Sequence, residues 1–187
     1  FFFKQKTAYE IVDCDWSSDV CSSDLECEPG TLTDHKLKVI REIGVTRLSL
    51  GVENFSDHIL DINGRAHRSK EIARAYGYAR ELGFPQINID LIAGMVEETE
   101  ENWRECVAKT IAMSPDSVTI YQMEVPYNTT IYQRMKAEGK LNAPVADWDT
   151  KRAWVNYAFS EMEKAGDRKS TRLNSSHSQQ SRMPSSA

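Results

Sequence analysis

Three carboxylates lie within or just after apolar segments of the chain, where carboxylates can bind a ligand. Glu53 follows the segment TRLSLGV, Asp90 lies inside the segment INIDLIA, and Glu124 lies near the end of the segment SVTIYQMEV. A carboxylate accepts hydrogen bonds from hydroxyl groups and pairs with ammonium or guanidinium groups. Each of the three could also be an ordinary polar residue at a strand end. Asp90 is the strongest candidate, because a carboxylate within a buried strand must be paired or functional.

The segments that carry these carboxylates have the composition of β-strands, and helical patterns lie between them. Strands are predicted at residues 46–52, 87–93 and 117–125. Helices are predicted at residues 32–43, 70–82, 100–113, 131–138 and 150–164. This alternation, with short connections, indicates a parallel α/β fold. In a (β/α) barrel the C-terminal ends of the strands carry the chemistry, so the carboxylates would lie at the barrel mouth.

Composition limits the class of protein. A chain of 187 residues with 40% hydrophobic and 27% charged residues is typical of one soluble globular domain. It contains no run of about 18 apolar residues, so we expect no membrane-spanning helix. The net charge of −5 argues against a nucleic-acid partner, which usually requires a basic face. The scattered cysteines, which form no CxxC pair, favour a reducing, cytoplasmic location.

The two ends of the chain differ from the rest and are expected to be adapter-derived rather than natural protein. Residues 15–25 read DWSSDVCSSDL, and residues 167–176 read DRKSTRLNSS. Opposite strands of a single DNA sequence can encode these two segments, and the relation continues outward on both sides. Two natural termini have no physical reason to be antisense to each other. Residues 1–25 and 167–187 are therefore excluded from the fold prediction, and residues 26–166 are taken as the natural protein. Natural serine-rich disordered tails are the alternative.

Four motifs in the central segment resemble the oxygen-independent coproporphyrinogen III oxidase family of radical S-adenosylmethionine (SAM) proteins. They are ECEP at residues 26–29, TRLSLGVENF at residues 46–55, NGRAH at residues 63–67 and NIDLIAG at residues 88–94. Each is weak alone, but the order and spacing of all four are specific. The resemblance implies a partial (β/α) radical SAM barrel with about three to four of its strands present.

The resemblance also implies four cofactor-binding residues. Glu26 is at the position of a glutamate that contacts the SAM amino group, and Arg65 is at the position of an arginine near the SAM carboxylate. Glu53 and Asp90 are at positions near the SAM ribose. Ion pairs within a barrel rim are the alternative role for all four. Glu53 replaces a usual glutamine, and residues 95–97 differ from the usual Leu-Pro-Gly. These departures indicate a divergent branch, so the substrate is left open.

The family's chemistry further requires a 4Fe-4S cluster held by a CxxxCxxC motif, which this sequence lacks. The resemblance implies that the parent protein reductively cleaves SAM to a 5′-deoxyadenosyl radical, which abstracts hydrogen from an organic substrate, with a tetrapyrrole as one candidate. An electron donor for the cluster is the implied partner. The 187-residue chain itself is expected to be inactive, with no metal ligand and no assigned catalytic residue. A heme-binding chaperone of the same family and a plain barrel domain without a cluster are the alternatives.

The remaining residues that could do chemistry receive structural interpretations. His35, His58 and His67 have no partner at ligand spacing, so solvated or capping roles are predicted. Cys27 and Cys106 are predicted to pack as small hydrophobic side chains. The acidic run of Glu97, Glu98, Glu100 and Glu101 is interpreted as the start of a helix, where the helix dipole favours negative charge, rather than as a metal site.

Overall fold

A computed structural model describes residues 24–124 and 146–166, together with the backbone of residues 168–170 and 178–182. The predicted helix at residues 131–138 and the last residue of the predicted third strand lie outside the described residues. The strands are β1 (Asp24–Cys27), β2 (Arg47–Glu53), β3 (Gln86–Ala93), β4 (Ser117–Gln122), β5 (Arg168–Ser170) and β6 (Ser178–Arg182). The helices are α1 (Asp34–Glu42), α2 (Asp57–Ile62), α3 (Ser69–Glu81), α4 (Glu100–Met113) and α5 (Trp148–Lys164).

The strands form one sheet in the order β1-β2-β3-β4-β6-β5. The pairs β1–β2, β2–β3 and β3–β4 are parallel. Helices separate the parallel strands along the chain, as βα units require. The structure confirms the predicted α/β class with parallel strands and a partial barrel. The predicted bounds of α4 match the structure, and those of the other predicted helices that the structure describes differ by at most two residues, with Thr33 capping α1 and Asp147 capping α5.

Each parallel strand alternates between an apolar and a polar face. The apolar side chains of β2, β3 and β4 are buried in one core with the inward faces of the helices. In this core the indole of Trp103 on α4 stacks on Trp154 of α5, with ring centroids 6.4 Å apart. Its Nε1 donates to the Trp154 carbonyl oxygen at 2.8 Å. The helices therefore cover one face of the sheet, and the polar residues of the strands lie on the other.

Two findings go beyond the sequence prediction. Helix α2 was not predicted; it has six residues and begins after Ser56, whose hydroxyl accepts from the Ile59 amide. Strands β5 and β6 lie within residues 167–187, which were expected to contribute nothing to the fold. β6 pairs antiparallel with β4 and with β5. Edge pairing uses backbone groups, so an open β4 edge can accept a strand of almost any side-chain composition.

None of the helices in the described part of the chain is both long and apolar enough to cross a membrane.

Candidate functional site

The polar face of the sheet carries a continuous hydrogen-bond network centred on Asn88, whose side chain is fully buried. Its Nδ2 donates to the Ser49 hydroxyl at 2.9 Å and to Asp90 Oδ1 at 2.7 Å. Its Oδ1 accepts from the hydroxyls of Ser117 at 2.7 Å and Thr119 at 3.2 Å. These partners come from three neighbouring strands, so the network depends on the parallel register of β2, β3 and β4. It satisfies polar groups that would otherwise be buried without partners.

Asp90 lies at the upper end of this network, toward the C-terminal ends of the strands. Its Oδ2 accepts from the Ser49 hydroxyl at 2.9 Å. Burial raises the pKa of Asp90 above its usual range, while the hydrogen bonds from Ser49, Asn88 and Thr119 lower it and the charge of Glu26 raises it. Asp90 is tolerated inside an otherwise apolar strand because its side chain lies on the polar face of the sheet and accepts hydrogen bonds from hydroxyl and amide donors.

Glu53 and Arg65 form an ion pair at the end of β2. Glu53 Oε2 contacts Arg65 Nε, and the Glu53 side chain is largely buried while that of Arg65 is partly exposed. Glu53 has a positive φ of 64°, in the left-handed region that non-glycine residues seldom adopt. The pairing of β2 with β3 shifts register between Gly51 and Glu53. This irregularity redirects the Glu53 side chain at the strand end, as bulges near binding sites often do.

The positive charge of Arg65 lowers the pKa of Glu53 by less than burial raises it. Burial raises the pKa of the Glu53 carboxyl. The charges of Arg65 and His67 lower this pKa, and those of Glu28 and Asp90 raise it. The charges of Glu26, Asp90 and Glu53 thus act on one another through space. The structure brings together the four sequence-predicted residues, two of which already form the ion pair that was considered as their alternative role. Whether the four bind a cofactor remains a prediction.

His67 does not match its prediction, because its side chain is fully buried rather than solvated. Its Nε2 lies 3.1 Å from the Val52 carbonyl oxygen, and its Nδ1 lies 3.3 Å from a Glu28 carboxylate oxygen. Both neighbours are hydrogen-bond acceptors. His67 therefore links the loop after β1 to the end of β2. His58 is exposed and pairs with Glu97, and His35 is also exposed, as expected.

Glu98 was not identified from the sequence as a special residue. Its neighbours Glu100 and Glu101 do occupy the first turn of α4, as the acidic run predicted. Glu98 itself is buried between the turn after β3 and the segment after β2, where it accepts from Asn54 Nδ2 at 2.8 Å. Burial raises its pKa to about 7, against the lowering effect of hydrogen bonds from Gly94, Met95 and Asn54. No sequence signal separates Glu98 from the surface acids beside it.

Cys27 and Cys106 pack as small hydrophobic side chains, as the sequence predicted. Cys106 is buried in α4, and Cys27 is partly buried against the core. Burial raises the pKa of both thiols to about 12, so they are protonated at neutral pH. Metal ligation requires the thiolate, which burial disfavours here. Within the residues that the structure describes, no group of three or more His, Cys, Asp or Glu side chains is arranged to hold a metal ion.

Comparison with known proteins identifies the family. Residues 15–109, just over half of the chain, match the Radical SAM superfamily. The chain belongs to the radical SAM superfamily. The matched range begins inside residues 1–25, which were expected to be adapter-derived; that expectation stays a prediction. The family resemblance inferred from the four motifs is confirmed at this level.

Relatives in the radical SAM superfamily include both proteins considered in the sequence analysis. The chain is 31% identical over 150 residues to the heme chaperone HemW of Bacillus subtilis, covering 80% of this chain and 39% of the relative. It is 30% identical over 97 residues to the oxygen-independent coproporphyrinogen III oxidase of Paracoccus denitrificans, covering 52% of this chain and 22% of the relative. The chain thus spans about two fifths or less of the length of these relatives.

The fold has solved counterparts. The coproporphyrinogen III oxidase HemN from Escherichia coli, a radical SAM enzyme, superimposes with a TM-score of 0.69 at 21% identity, over 87% of this chain and 35% of that chain. An archaeal Elp3 from Methanocaldococcus infernus superimposes with a TM-score of 0.64 at 24% identity, over 74% of this chain and 32% of that chain. These similarities support the partial radical SAM barrel and, at such identities, concern the fold alone.

Proposed function

We propose that the described part of this chain forms the SAM-binding edge of a radical SAM enzyme barrel. The observation that carries this proposal is the electrostatic coupling of Glu26, Glu53, Arg65 and Asp90, with Glu53 at the C-terminal end of β2 and Asp90 in the C-terminal half of the neighbouring β3. These residues come from three strands and one loop, and their charges act on one another. The C-terminal edge is where barrels of this kind place their chemistry.

The chemistry of these side chains fits SAM. Glu26 is exposed and, among the described residues, has no ion-pair partner, so its carboxylate is free to pair with the ammonium group of SAM. The Asp90 carboxylate accepts hydrogen bonds from Ser49 and Asn88, and its oxygens retain lone pairs that can accept from ribose hydroxyls. Arg65 has a partly exposed guanidinium with five donors, so it can bind the SAM carboxylate while its Nε contacts Glu53.

The 4Fe-4S cluster of the family does not fit the described residues. Cys27 and Cys106 are buried, protonated thiols on different elements. We therefore assign no cluster ligand among the described residues and expect the 187-residue chain to be inactive in SAM cleavage. In the parent protein, a cluster supplied by other residues would deliver the electron that cleaves SAM to a 5′-deoxyadenosyl radical for hydrogen abstraction. An external electron donor would reduce that cluster.

The substrate class proposed for the parent is a small organic molecule of the tetrapyrrole type, and the parent is proposed to be cytoplasmic. Support comes from the Paracoccus denitrificans relative, whose name gives coproporphyrinogen III as what it oxidises. The second candidate function is a heme chaperone without oxidase activity, which the HemW relative supports equally. Heme binding by the parent without consumption of coproporphyrinogen III would select the chaperone. Consumption of that substrate together with SAM would select the oxidase.

The SAM-binding proposal is tested by isothermal titration of the chain with S-adenosylhomocysteine, which binds without being cleaved. We expect Asp90→Asn and Arg65→Gln each to weaken binding by roughly tenfold, the value of one charge-assisted hydrogen bond of about 1.4 kcal/mol. Arg74→Gln is the matched control, because Arg74 pairs with Asp34 elsewhere on the surface. Equal losses in all three variants, or no binding by the unmodified chain, would reject the site.

A further inference from the structure

Glu98 occupies a position that the cofactor-binding proposal leaves unexplained. Its side chain is buried, with 8% of the residue exposed. Its Oε2 accepts from the backbone amides of Gly94 at 2.6 Å and Met95 at 3.1 Å. Its Oε1 accepts from Asn54 Nδ2 at 2.8 Å. One carboxylate thus joins the turn that follows β3 to the segment that follows β2.

Asn54 transmits this connection because both the amide nitrogen and the amide oxygen of its side chain form hydrogen bonds. Besides Glu98, its Nδ2 donates to Asn102 Oδ1 at 2.9 Å. Its Oδ1 accepts from the Ser56 amide at 2.8 Å and from the Cys106 thiol at 3.2 Å. Asn54 is fully buried, so an unmatched donor or acceptor there would be costly. Its position is therefore set by the groups around it, and Glu98 is the one among them that ionises near neutral pH.

Asn54 immediately follows Glu53, the residue with the positive φ. The Asn54 amide donates to the Val52 carbonyl oxygen at 2.7 Å, which closes a tight turn around Glu53. A left-handed conformation at a non-glycine residue persists when its surroundings fix it. The turn directs Glu53 onto Arg65. A change at Glu98 is therefore expected to reach the Glu53–Arg65 pair through Asn54.

We propose that the Glu98 carboxylate is a positioning residue that ties the turns after β2 and β3 together and so sets the arrangement of Glu53 and Arg65 for the cofactor. The role of that pair rests on the proposed SAM-binding function. Glu98 need not touch the cofactor, because it acts through Asn54 on one side and through the Gly94 and Met95 amides on the other.

The protonation state of Glu98 makes this role sensitive to pH. Protonation converts an accepting oxygen into a donor, and all three partners of Glu98 are donors, so one contact is lost. The pKa of about 7 places this change near neutral pH. The Cys106 thiol also faces Glu98, and its pKa is raised to about 12, so it stays protonated through the same range. Glu97, the neighbour in sequence, points to the surface and pairs with His58.

The first test follows amide protons by NMR from about pH 6 to about pH 8, a range centred on the pKa of Glu98. We expect the Gly94 and Met95 amides and the Arg65 Nε–H to titrate together in the unmodified chain. Glu98→Gln removes the titrating group and should make all three signals independent of pH. Glu97→Gln, the control, should leave the titration unchanged. An Arg65 signal that does not titrate, or that still titrates in Glu98→Gln, would overturn the proposal.

The second test measures S-adenosylhomocysteine affinity at the two ends of this pH range. A pKa of about 7 leaves Glu98 deprotonated in about nine tenths of molecules at about pH 8 and in about one tenth at about pH 6. Affinity should therefore fall roughly tenfold at the lower pH in the unmodified chain and in Glu97→Gln, and stay constant in Glu98→Gln. Binding of equal strength at both pH values would overturn the positioning role. No binding at either pH, with the NMR titration intact, would reject the SAM-binding function while supporting the link from Glu98 to Arg65.

Discussion

Replacing Gly94 with alanine should destabilise the fold strongly, because two separate constraints act at this residue. Gly94 has a positive φ of 84°, and an added Cβ would lie 2.6 Å from Lys151 Cε and 2.8 Å from Lys151 Cγ. The backbone conformation alone costs an L-residue about 1–2 kcal/mol. The clash would displace Lys151, a buried residue whose Nζ donates to the Met123 carbonyl oxygen at 2.7 Å. Losing that charged hydrogen bond costs about 1.5–3 kcal/mol.

The expected total for Gly94→Ala is a loss of roughly 2.5–5 kcal/mol in the free energy of unfolding, measured by urea titration. Gly77→Ala is the matched control, because Gly77 lies within α3 and, apart from its chain neighbours and the α3 backbone, no atom lies within 4 Å of a Cβ added there. Alanine is favoured over glycine inside a helix, so this change should stabilise the chain by roughly 0.5–1 kcal/mol. The same chemical change should thus have opposite signs at the two positions.

A double-mutant cycle separates the two constraints at Gly94. In a Lys151→Ala background the clash is gone, and Gly94→Ala should cost about 1–2 kcal/mol, the backbone contribution alone. The reasoning would be refuted if Gly94→Ala had the same effect with and without the Lys151 side chain. It would also be refuted if Gly94→Ala and Gly77→Ala changed stability by similar amounts in the same direction.

Three further predictions concern buried groups. The pKa of Glu98 is raised from 4.5 to about 7, so folding favours its neutral form, and this group's contribution to the free energy of unfolding should fall by roughly 3 kcal/mol as the pH rises from about 4.5 to about 7. Urea titrations test this: the free energy of unfolding of the chain minus that of Glu98→Gln should fall over this pH range, and a rise would contradict the prediction. Cys27 and Cys106, with thiol pKa values of about 12, should react slowly with iodoacetamide at neutral pH in the folded chain, and peptide mapping that found rapid labelling of either would oppose this. Trp103→Phe should lower the free energy of unfolding by about 0.5–1.5 kcal/mol, because the indole hydrogen bond that joins α4 to the Trp154 carbonyl of α5 is lost, and an unchanged urea midpoint would argue against that role.

Much of the fold could be predicted because the sequence pattern is local. The segments around Leu50, Ile89 and Val118 are short and apolar, and glycines follow two of the predicted helices. These features predicted three of the parallel strands and most of the described helices. Strands β5 and β6 were not predicted, because pairing along an open edge depends on backbone groups of β4 and is not specified by side-chain pattern.

The candidate site was predictable in part. The motifs identified Glu26, Glu53, Arg65 and Asp90, and the structure places Glu26 and Asp90 within β1 and β3, Glu53 at the end of β2 and Arg65 on a loop. The motif pattern did not show that Glu53 would adopt a positive φ and pair with Arg65. That contact depends on the bulge at the end of β2 and on the loop that carries Arg65.

The sequence by itself determined the family, the parallel α/β class and the identity of the candidate ligands, because each depends on residue type and spacing along the chain. Tertiary structure alone decided which polar residues are buried. His67 and Glu98 resemble surface residues in the sequence, yet folding encloses both between loops that are distant in the chain. Burial and hydrogen-bond donors from those loops set the charge of Glu98, and neither can be read from the residues beside it.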